Sequence, residues 1–287
     1  MQGAEKRPLS QNIVFLVLTS SFLAVLFVFL SFSWQGNHGF SLADEGYLWY
    51  GVQRVLAGEV PIRDFMAYDP GRYYWAAALT RVLGDNGILG LRAAVAVFQA
   101  MGLAAALLLV AGEQRSSSVP GLLFLVLCAF VLMAWMFPRH KLFDISLSIF
   151  LVAALTWLVK GPAVGRYLFA GICLGLVAVF GRNHGVYGLV GSLGVLLWLN
   201  IRRTDGPSFL SGFFSWAVGV VLGYAPLLLM ALFVPGFATA FWESVTNIFV
   251  QKTTNLPLPV PWPWTVPFGD VSLGDAIHGM LAGLFFS

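Results

Sequence analysis

From Asn12 to Trp34 the chain runs for 23 residues without one charged side chain. About 20 such residues are enough for a helix to cross the hydrocarbon core of a bilayer. The composition agrees, because 59% of the residues are hydrophobic and only 10% are charged, against about 25% charged in soluble domains. The sequence therefore predicts an integral membrane protein whose first span is this run.

A cleaved signal peptide is the alternative interpretation of the same run. Lys6 and Arg7 precede it, and Ser41 and Ala43 resemble a small-residue cleavage pattern. The apolar core is too long for a signal peptide, however, and the pattern lies about ten residues beyond its end. We therefore favour a retained span.

Later apolar runs predict an all-α polytopic fold with seven complete spans and a truncated eighth, in one transmembrane domain of residues 1 to 287. The runs cover about residues 87 to 111, 120 to 137, 145 to 159, 167 to 181, 185 to 200, 209 to 234 and 272 to 287. Two of them, 167 to 181 and 185 to 200, are short for a crossing. Either they are two helices joined slightly inside the membrane boundary, or they form one bent helix, which would reverse every later span.

The distribution of charge predicts the orientation. With the amino terminus in the cytoplasm, the inside segments carry seven basic and three acidic residues, and the outside segments carry nine basic and ten acidic residues. An excess of basic residues in short loops is typical of the cytoplasmic side. The loops of residues 35 to 85 and 235 to 270 are then extracytoplasmic.

The first of these loops holds a concentration of charge. Eight of the 29 charged residues of the chain lie between positions 41 and 75. Leu48, Val52 and Val55 recur there at helical spacing and Gly58 follows as a stop signal, which predicts an interfacial helix. Pro70 and the next glycine predict the start of a second short helix.

Three groups of residues in the predicted outer region could carry chemistry. The pair Asp44 and Glu45 starts the interfacial helix, where Asp44 could serve as the N-cap or as a catalytic carboxylate held rigidly by that helix. Asp144 could cap the next span, or it could form a phosphate site with the preceding basic residues, which are Arg139, His140 and Lys141.

The third group is Arg182 and His184 in the sequence GRNHG. An arginine at the membrane edge costs a few kcal/mol unless it has a partner or water, which favours a functional role. The four histidines have no metal-ligand spacing, and Cys128 and Cys173 lie in predicted spans, where packing is their expected role. The sequence has no basic stripe with interleaved aromatic residues, and we therefore expect no nucleic-acid partner.

These groups, in this order, resemble the polytopic glycosyltransferases of the GT-C superfamily, in particular the protein mannosyltransferase and aminoarabinose transferase branch. The similar segments are the Asp44-Glu45 pair after the first span, YDPGRYYW in the same loop, RHKLFDISLSIF before the fourth span, and AGICLGLVAVFGRNHG. The resemblance covers about residues 10 to 200. It departs from the family in placing Arg182 where that branch usually has lysine, and Arg72 a few positions from the expected basic residue.

The resemblance implies an inverting glycosyltransferase in a bacterial-type inner membrane, working on the extracytoplasmic face. The donor would be a polyprenyl-phosphate sugar, the acceptor a hydroxyl of a lipid, glycan or protein, and membrane lipids would surround the spans. Asp44 would be the general base, and Glu45 and Asp144 would orient the acceptor or hold a divalent cation, a cofactor that we leave open. The donor phosphate would be bound by the basic residues, which are Arg72, Arg139, His140, Lys141, Arg182 and His184.

Three further expectations follow. Asp44, Asp144 and Arg182 should meet in one water-filled pocket just outside the membrane. Family members are typically longer, so we expect the chain to be a fragment or a shortened member. The alternative functions are a transporter or flippase, which would predict broken helices and inverted repeats, and a noncatalytic membrane subunit.

Overall fold

A computed structural model describes residues 9 to 114, 119 to 136, 141 to 202, 206 to 251 and 272 to 286. Within these residues the regular structure is helical. The α-helices are α1 (Leu9–Gln35), α2 (Tyr47–Leu56), α3 (Pro70–Leu83), α4 (Ile88–Gln114), α5 (Val119–Trp135), α6 (Leu142–Lys160), α7 (Val164–Phe180), α8 (Arg182–Ile201), α9 (Phe209–Phe233), α10 (Phe237–Gln251) and α11 (Leu273–Phe286). A short π-helical turn, Leu42–Gly46, precedes α2.

The long apolar runs of the sequence correspond to helices. Five of these helices, α1, α4, α6, α8 and α9, are long and apolar enough to cross a membrane. The apolar helices α5 and α7 are shorter, with 17 residues each. The described residues thus form an all-helical structure with five candidate membrane-spanning helices, as expected of a multi-pass membrane protein.

The first long connection contains the two short helices that the sequence predicts. Helix α2 ends before Gly58, whose φ of 94° is unfavourable for residues with a side chain. Helix α3 begins at Pro70, where a missing backbone N–H costs nothing, and its C-cap is Gly84, in the left-handed conformation. The fully buried Tyr73 anchors α3, since its ring packs edge-on against Phe65 with centroids 5.7 Å apart.

Contacts along the helices give their relative directions. Helices α4 and α6 are parallel, because Gly102 lies against Ser146 and, further along both helices, Glu113 pairs with Lys160. Helix α7 is antiparallel to α6, since the Cys173 thiol contacts the carbonyl oxygen of Phe150 whereas Phe180 faces Phe143.

Helices α7 and α8 are antiparallel to each other. Gly185 lies against Ala178, and Gly188, one turn further along α8, lies against Leu174. The structure therefore has two separate helices joined at Gly181, and the single bent helix considered from the sequence is wrong. The end of α1 lies at the start of α4, because Arg92 of α4 donates to the carbonyl oxygen of Gly36. The amino termini of α4, α6 and α8 and the carboxyl termini of α1 and α7 therefore share one end of the bundle, which we call the first-loop end.

Helix α9 runs parallel to α7, and glycines bring their backbones into contact. Gly171 and Gly175 of α7 face Gly219 and Gly223 of α9. A Cβ atom at any of these four positions would lie less than 3.0 Å from backbone atoms of the other helix. Such pairs of small residues four apart allow close helix packing in membranes, where van der Waals contact drives association.

The chain divides into two compact units, residues 1 to 240 and 241 to 287. In the second unit α11 is capped by Ser272, whose hydroxyl donates to Asp275 at 2.7 Å and accepts from the Asp275 backbone N–H. The predicted outer loop of residues 235 to 270 begins with α10. Its remainder, from residue 252, lies outside the described residues.

Candidate functional site

Five ionisable side chains from separate parts of the sequence come together at the first-loop end. We call this group the ionic cluster. Its members lie just before α3, in the first turn of α3, in the first turn of α6 and in the first turn of α8. They are Asp69, Arg72, Asp144, Arg182 and His184.

Arg72 connects three helices of the cluster. Its Nη2 forms an ion pair with Oδ1 of Asp144 in α6, and its Nε donates to the carbonyl oxygen of Phe180, the last residue of α7, at 2.6 Å. The backbone allows this approach because Gly71 lies directly against Phe180, where a Cβ atom would be within 3.0 Å of the ring. The guanidinium is therefore held between α3, α6 and α7.

Asp144 has a second neighbour in His184, whose ring carries a charge only when it is protonated. The Nδ1 of His184 is 3.6 Å from Oδ1 of Asp144, which is too long for a hydrogen bond but close enough for electrostatic interaction. Both side chains are only partly buried. A carboxylate flanked by a fixed guanidinium and a titratable ring can orient a polar substrate or exchange a proton with it.

Asp69 and Arg182 form the other half of the cluster. Oδ2 of Asp69 accepts from the backbone N–H of Arg182 at 2.8 Å, and Oδ1 lies 2.6 Å from the Arg182 Nε. The N-cap residue of α8 is Gly181, which has no side chain, so Asp69 supplies the acceptor for the first backbone N–H of α8 although it precedes α3 in the sequence. Its charge is within interaction range of Arg72 as well, which joins the two halves of the cluster.

Burial and pairing have opposite effects on the Asp69 carboxylate, which is 8% exposed. The carboxylate contacts Arg182 twice, since Oδ1 is paired with the guanidinium and Oδ2 accepts from the backbone N–H. Burial is the larger effect and raises the pKa of Asp69 above its ordinary 3.8 despite the charge of Arg182. A proton is therefore held more tightly here than in an exposed aspartate.

Asp44 lies inside the π-helical turn and is not its cap, so the N-cap interpretation of Asp44 is wrong. Ser41 is the cap, because its backbone is extended and its Oγ accepts from the Asp44 N–H at 3.2 Å. The Ser41 hydroxyl in turn donates to Oδ2 of Asp44 at 2.9 Å. The carboxylate of Asp44 is therefore oriented by the serine, and it is partly exposed.

Aromatic side chains connect the Asp44 turn to the ionic cluster. Tyr47, three residues after Asp44, packs edge-on against Tyr68 with ring centroids 5.2 Å apart. The guanidinium carbon of Arg72 lies 5.7 Å from the centre of the Tyr68 ring. Cation–π contacts of this kind contribute about 0.5–1 kcal/mol at exposed sites. The turn and the cluster thus meet through one pair of tyrosines.

Glu45 is paired with a residue that the sequence analysis missed. Its two carboxylate oxygens accept from Arg92 of α4, with distances of 2.8 Å from Nε and 2.9 Å from Nη2. Both side chains are buried, with each residue 7% exposed. An arginine inside the predicted apolar run of residues 87 to 111 was the signal, because a charge there needs a partner.

Of the remaining basic residues predicted for the phosphate site, the structure describes Lys141. Lys141 is exposed at the N-cap of α6 and within electrostatic range of His184. Arg139 and His140 lie outside the described residues.

A cavity of about 350 Å³ lies elsewhere at this end, between α1 and the start of α4, and no member of the ionic cluster lines it. Among the described residues, no group of three or more histidine, cysteine, aspartate and glutamate side chains could hold a metal ion.

Asp69 and Asp64 are expected to affect stability with opposite dependence on pH. Because the pKa of Asp69 is raised in the folded protein, its contribution to stability is lost as the pH rises through that pKa. The pKa of Asp64 is lowered to about 2 by the hydrogen bond from Arg63. Its contribution is present above the ordinary pKa of 3.8 and is lost as the pH falls through about 2.

Thermal unfolding of the wild type, Asp69→Asn and Asp64→Asn across pH measures this difference. Asp69→Asn should gain stability relative to the wild type as the pH rises above the ordinary pKa of 3.8, whereas Asp64→Asn should gain as the pH falls from about 4 to about 2. Curves for the two variants that run parallel to the wild type at all pH values would contradict both assignments.

Comparisons of the chain with protein-family models, with curated proteins and with solved structures each give no match.

Proposed function

We propose that the protein is a membrane glycosyltransferase of the GT-C type that transfers a sugar from a polyprenyl-phosphate donor to an acceptor hydroxyl with inversion. The observation that carries the proposal is the ionic cluster. Five ionisable side chains meet at the end of the helix bundle where the loop with Asp44 lies. A site for a lipid-linked phosphate needs cations at this level, where headgroups and helix ends coincide.

The membrane placement is part of the proposal. The shorter apolar helices α5 and α7 cross the membrane together with the five longer ones, and α11 begins an eighth span. The first-loop end faces away from the cytoplasm, in a bacterial-type inner membrane. Activated nucleotide sugars are cytoplasmic, so a transferase working on this outer face needs a donor that has been carried across on a lipid.

The proposed reaction has one proton transfer and one displacement. Asp44 accepts the proton of the acceptor hydroxyl, whose oxygen forms a bond to the anomeric carbon as the bond from that carbon to the phosphate oxygen breaks. The polyprenyl phosphate leaves with the electron pair. Arg182 and Arg72 stabilise its charge, since planar guanidinium groups bind two phosphate oxygens at once, and Asp144 orients the acceptor.

In this proposal the cations exchange partners during the reaction. Arg182 is paired with Asp69, and Arg72 with Asp144, before a donor binds. The carboxylates keep the guanidinium groups in place at the membrane edge, where an unpaired charge is costly. A bound phosphate then shares or replaces the carboxylate contacts.

Arg182→Gln is expected to weaken donor binding by about 10- to 100-fold, because a hydrogen bond to a charged group contributes about 1.5–3 kcal/mol. Binding of a polyprenyl-phosphate sugar to purified protein in detergent measures this. Arg202→Gln is the matched control, since Arg202 caps the opposite end of the same helix, where it contacts Trp198. Equal donor affinities of the two variants would remove Arg182 from the phosphate site.

The function itself is tested by transfer of label. Purified protein in liposomes receives radiolabelled polyprenyl-phosphate sugars and a membrane extract as the source of acceptors. Label in a new lipid, glycan or protein product supports the proposal. Label that crosses the bilayer while still on the donor indicates the alternative function, a flippase, and absence of both outcomes would overturn the enzymatic assignment.

A further inference from the structure

Arg92 lies where an arginine is costly. It is in the second turn of α4, a candidate membrane-spanning helix, and its side chain is almost completely buried. Removing a guanidinium from water costs several kcal/mol unless its donors are satisfied by a well-placed partner. The contacts of Arg92 show which part of the chain satisfies its donors.

Within the part of the chain that the structure describes, the side-chain hydrogen bonds of Arg92 go to one short segment, residues 36 to 45. Nη1 donates to the carbonyl oxygen of Gly36 and Nη2 to that of Gly39, just beyond the end of α1. Nε and Nη2 bind the two carboxylate oxygens of Glu45. One side chain thus fixes both ends of the segment onto the start of α4, with the bidentate geometry that a lysine cannot reproduce.

The contacts continue from Glu45 to Asp44 through Ser41. Oε2 of Glu45 accepts from the Ser41 backbone N–H at 3.3 Å as well as from Arg92. The hydroxyl of Ser41 donates to the carboxylate of Asp44. The position of Arg92 therefore sets the position of Glu45, and Glu45 holds the backbone of Ser41. Ser41 in turn orients Asp44.

We propose that Arg92 is a positioning residue that holds Asp44 in its reactive orientation through Glu45 and Ser41. The inference rests on the proposed function, in which Asp44 is the general base. It assigns Glu45 to the support of Asp44 rather than to the acceptor, because both of its oxygens are engaged in the described structure. Donor binding by Arg72 and Arg182 does not depend on this support.

Arg92→Lys tests the proposal, because it keeps the charge but loses the bidentate contact. We expect kcat for sugar transfer to fall by about 10²-fold, the loss that a misplacement of about 1 Å can cause, while the KM for the donor stays within about twofold. Ser41→Ala should lower kcat with the same unchanged KM, and the lost cap of the π-helical turn should lower the unfolding temperature only slightly. The double variant should be no slower than the slower single variant, since both changes act on one carboxylate.

Hydrogen exchange gives a readout that is independent of the enzymatic assignment. The amides of residues 41 to 46 should exchange faster in Arg92→Lys than in the wild type, whereas those of α7 should be unchanged. Equal exchange in both proteins would show that Arg92 does not hold residues 36 to 45 in place, whatever the function. Faster exchange with an unchanged kcat would overturn the positioning role of Arg92 alone, and so would faster exchange with kcat and donor affinity lost together. A wild type without transfer activity would overturn the proposed function and, with it, the positioning role.

If Arg92→Lys does not fold, Ser41→Ala keeps the proposal testable. Ser41 is only partly buried, and its loss removes the last contact to Asp44 without uncovering the Arg92 and Glu45 charges. A kcat for Ser41→Ala equal to that of the wild type would overturn the orientation of Asp44 by this serine.

Discussion

Replacing Asp44 with asparagine is expected to lower the rate of sugar transfer by about 10²- to 10⁴-fold, the usual contribution of a general base. The variant should remain folded, because the asparagine oxygen can still accept the hydrogen bond that the Ser41 hydroxyl donates to Asp44. Donor affinity should change little, since the cations that would bind the phosphate are in α3 and α8. Steady-state transfer rates and donor binding, measured on the same preparation, check both parts.

Glu59→Gln is the control for this prediction. Glu59 lies in the same connection as Asp44, but its ion pair with Arg54 is partly exposed and outside the ionic cluster. Such pairs contribute about 0–1 kcal/mol, so transfer should continue at nearly the wild-type rate. Full activity of Asp44→Asn would exclude Asp44 as the base, and an equal loss in both variants would point to damage of the loop instead of lost proton transfer.

Replacing Gly219 with leucine is expected to prevent α7 and α9 from packing. A Cβ atom at this position would overlap the carbonyl oxygen of Leu168, and backbone atoms of a helix cannot turn aside as a side chain can. Overpacking typically costs about 1–3 kcal/mol, and we expect at least the upper value here. The yield of monodisperse protein in detergent and its unfolding temperature should both fall sharply.

Gly194→Leu is the matched control, because a Cβ atom at Gly194 in α8 would meet open space. The same substitution there should leave yield and unfolding temperature close to those of the wild type. Wild-type stability of Gly219→Leu would show that α7 and α9 are not in backbone contact. Loss of stability in both variants would show instead that added bulk alone is harmful in these helices.

Local signals in the sequence were sufficient for the short helices of the first connection. The spacing of Leu48, Val52 and Val55 and the stop at Gly58 predicted α2, and Pro70 predicted the start of α3; both are confirmed by the structure. These elements are determined by residues a few positions apart, so no knowledge of the fold was needed. The ends of the long apolar helices followed in the same way from where the apolar runs stop.

The sequence also predicted that Asp144, Arg182 and His184 belong to one region, but it could not predict their partners. Arg182 is paired with Asp69, a distance of 113 positions along the chain, and Arg72 with Asp144, a distance of 72 positions. Choosing among several acids and bases at one end of a bundle requires the packing of the helices. The water-filled pocket shared with Asp44 stays a prediction.

Two features were missed although the sequence contains their signals. Arg92 interrupts an apolar run, and a charge at that depth should have prompted the search for an acid, which is Glu45. The spacing of Gly171 and Gly175, and of Gly219 and Gly223, is the small-residue pattern of close helix pairs. Neither signal identifies the residue or helix on the other side of the contact, because each describes only one of the two contacting surfaces.

The parallel pairing of α7 with α9 constrains the order in which the protein can be assembled. Two neighbouring helices that point the same way cannot form a simple hairpin, so the chain must first return along α8 before α9 can dock. Both helices of the α7–α8 hairpin, with Arg182 at its tip, are therefore synthesised before α9, the helix that packs on α7. During synthesis Gly171 and Gly175 of α7 therefore lack their packing partner until α9 has been made, about 50 residues later.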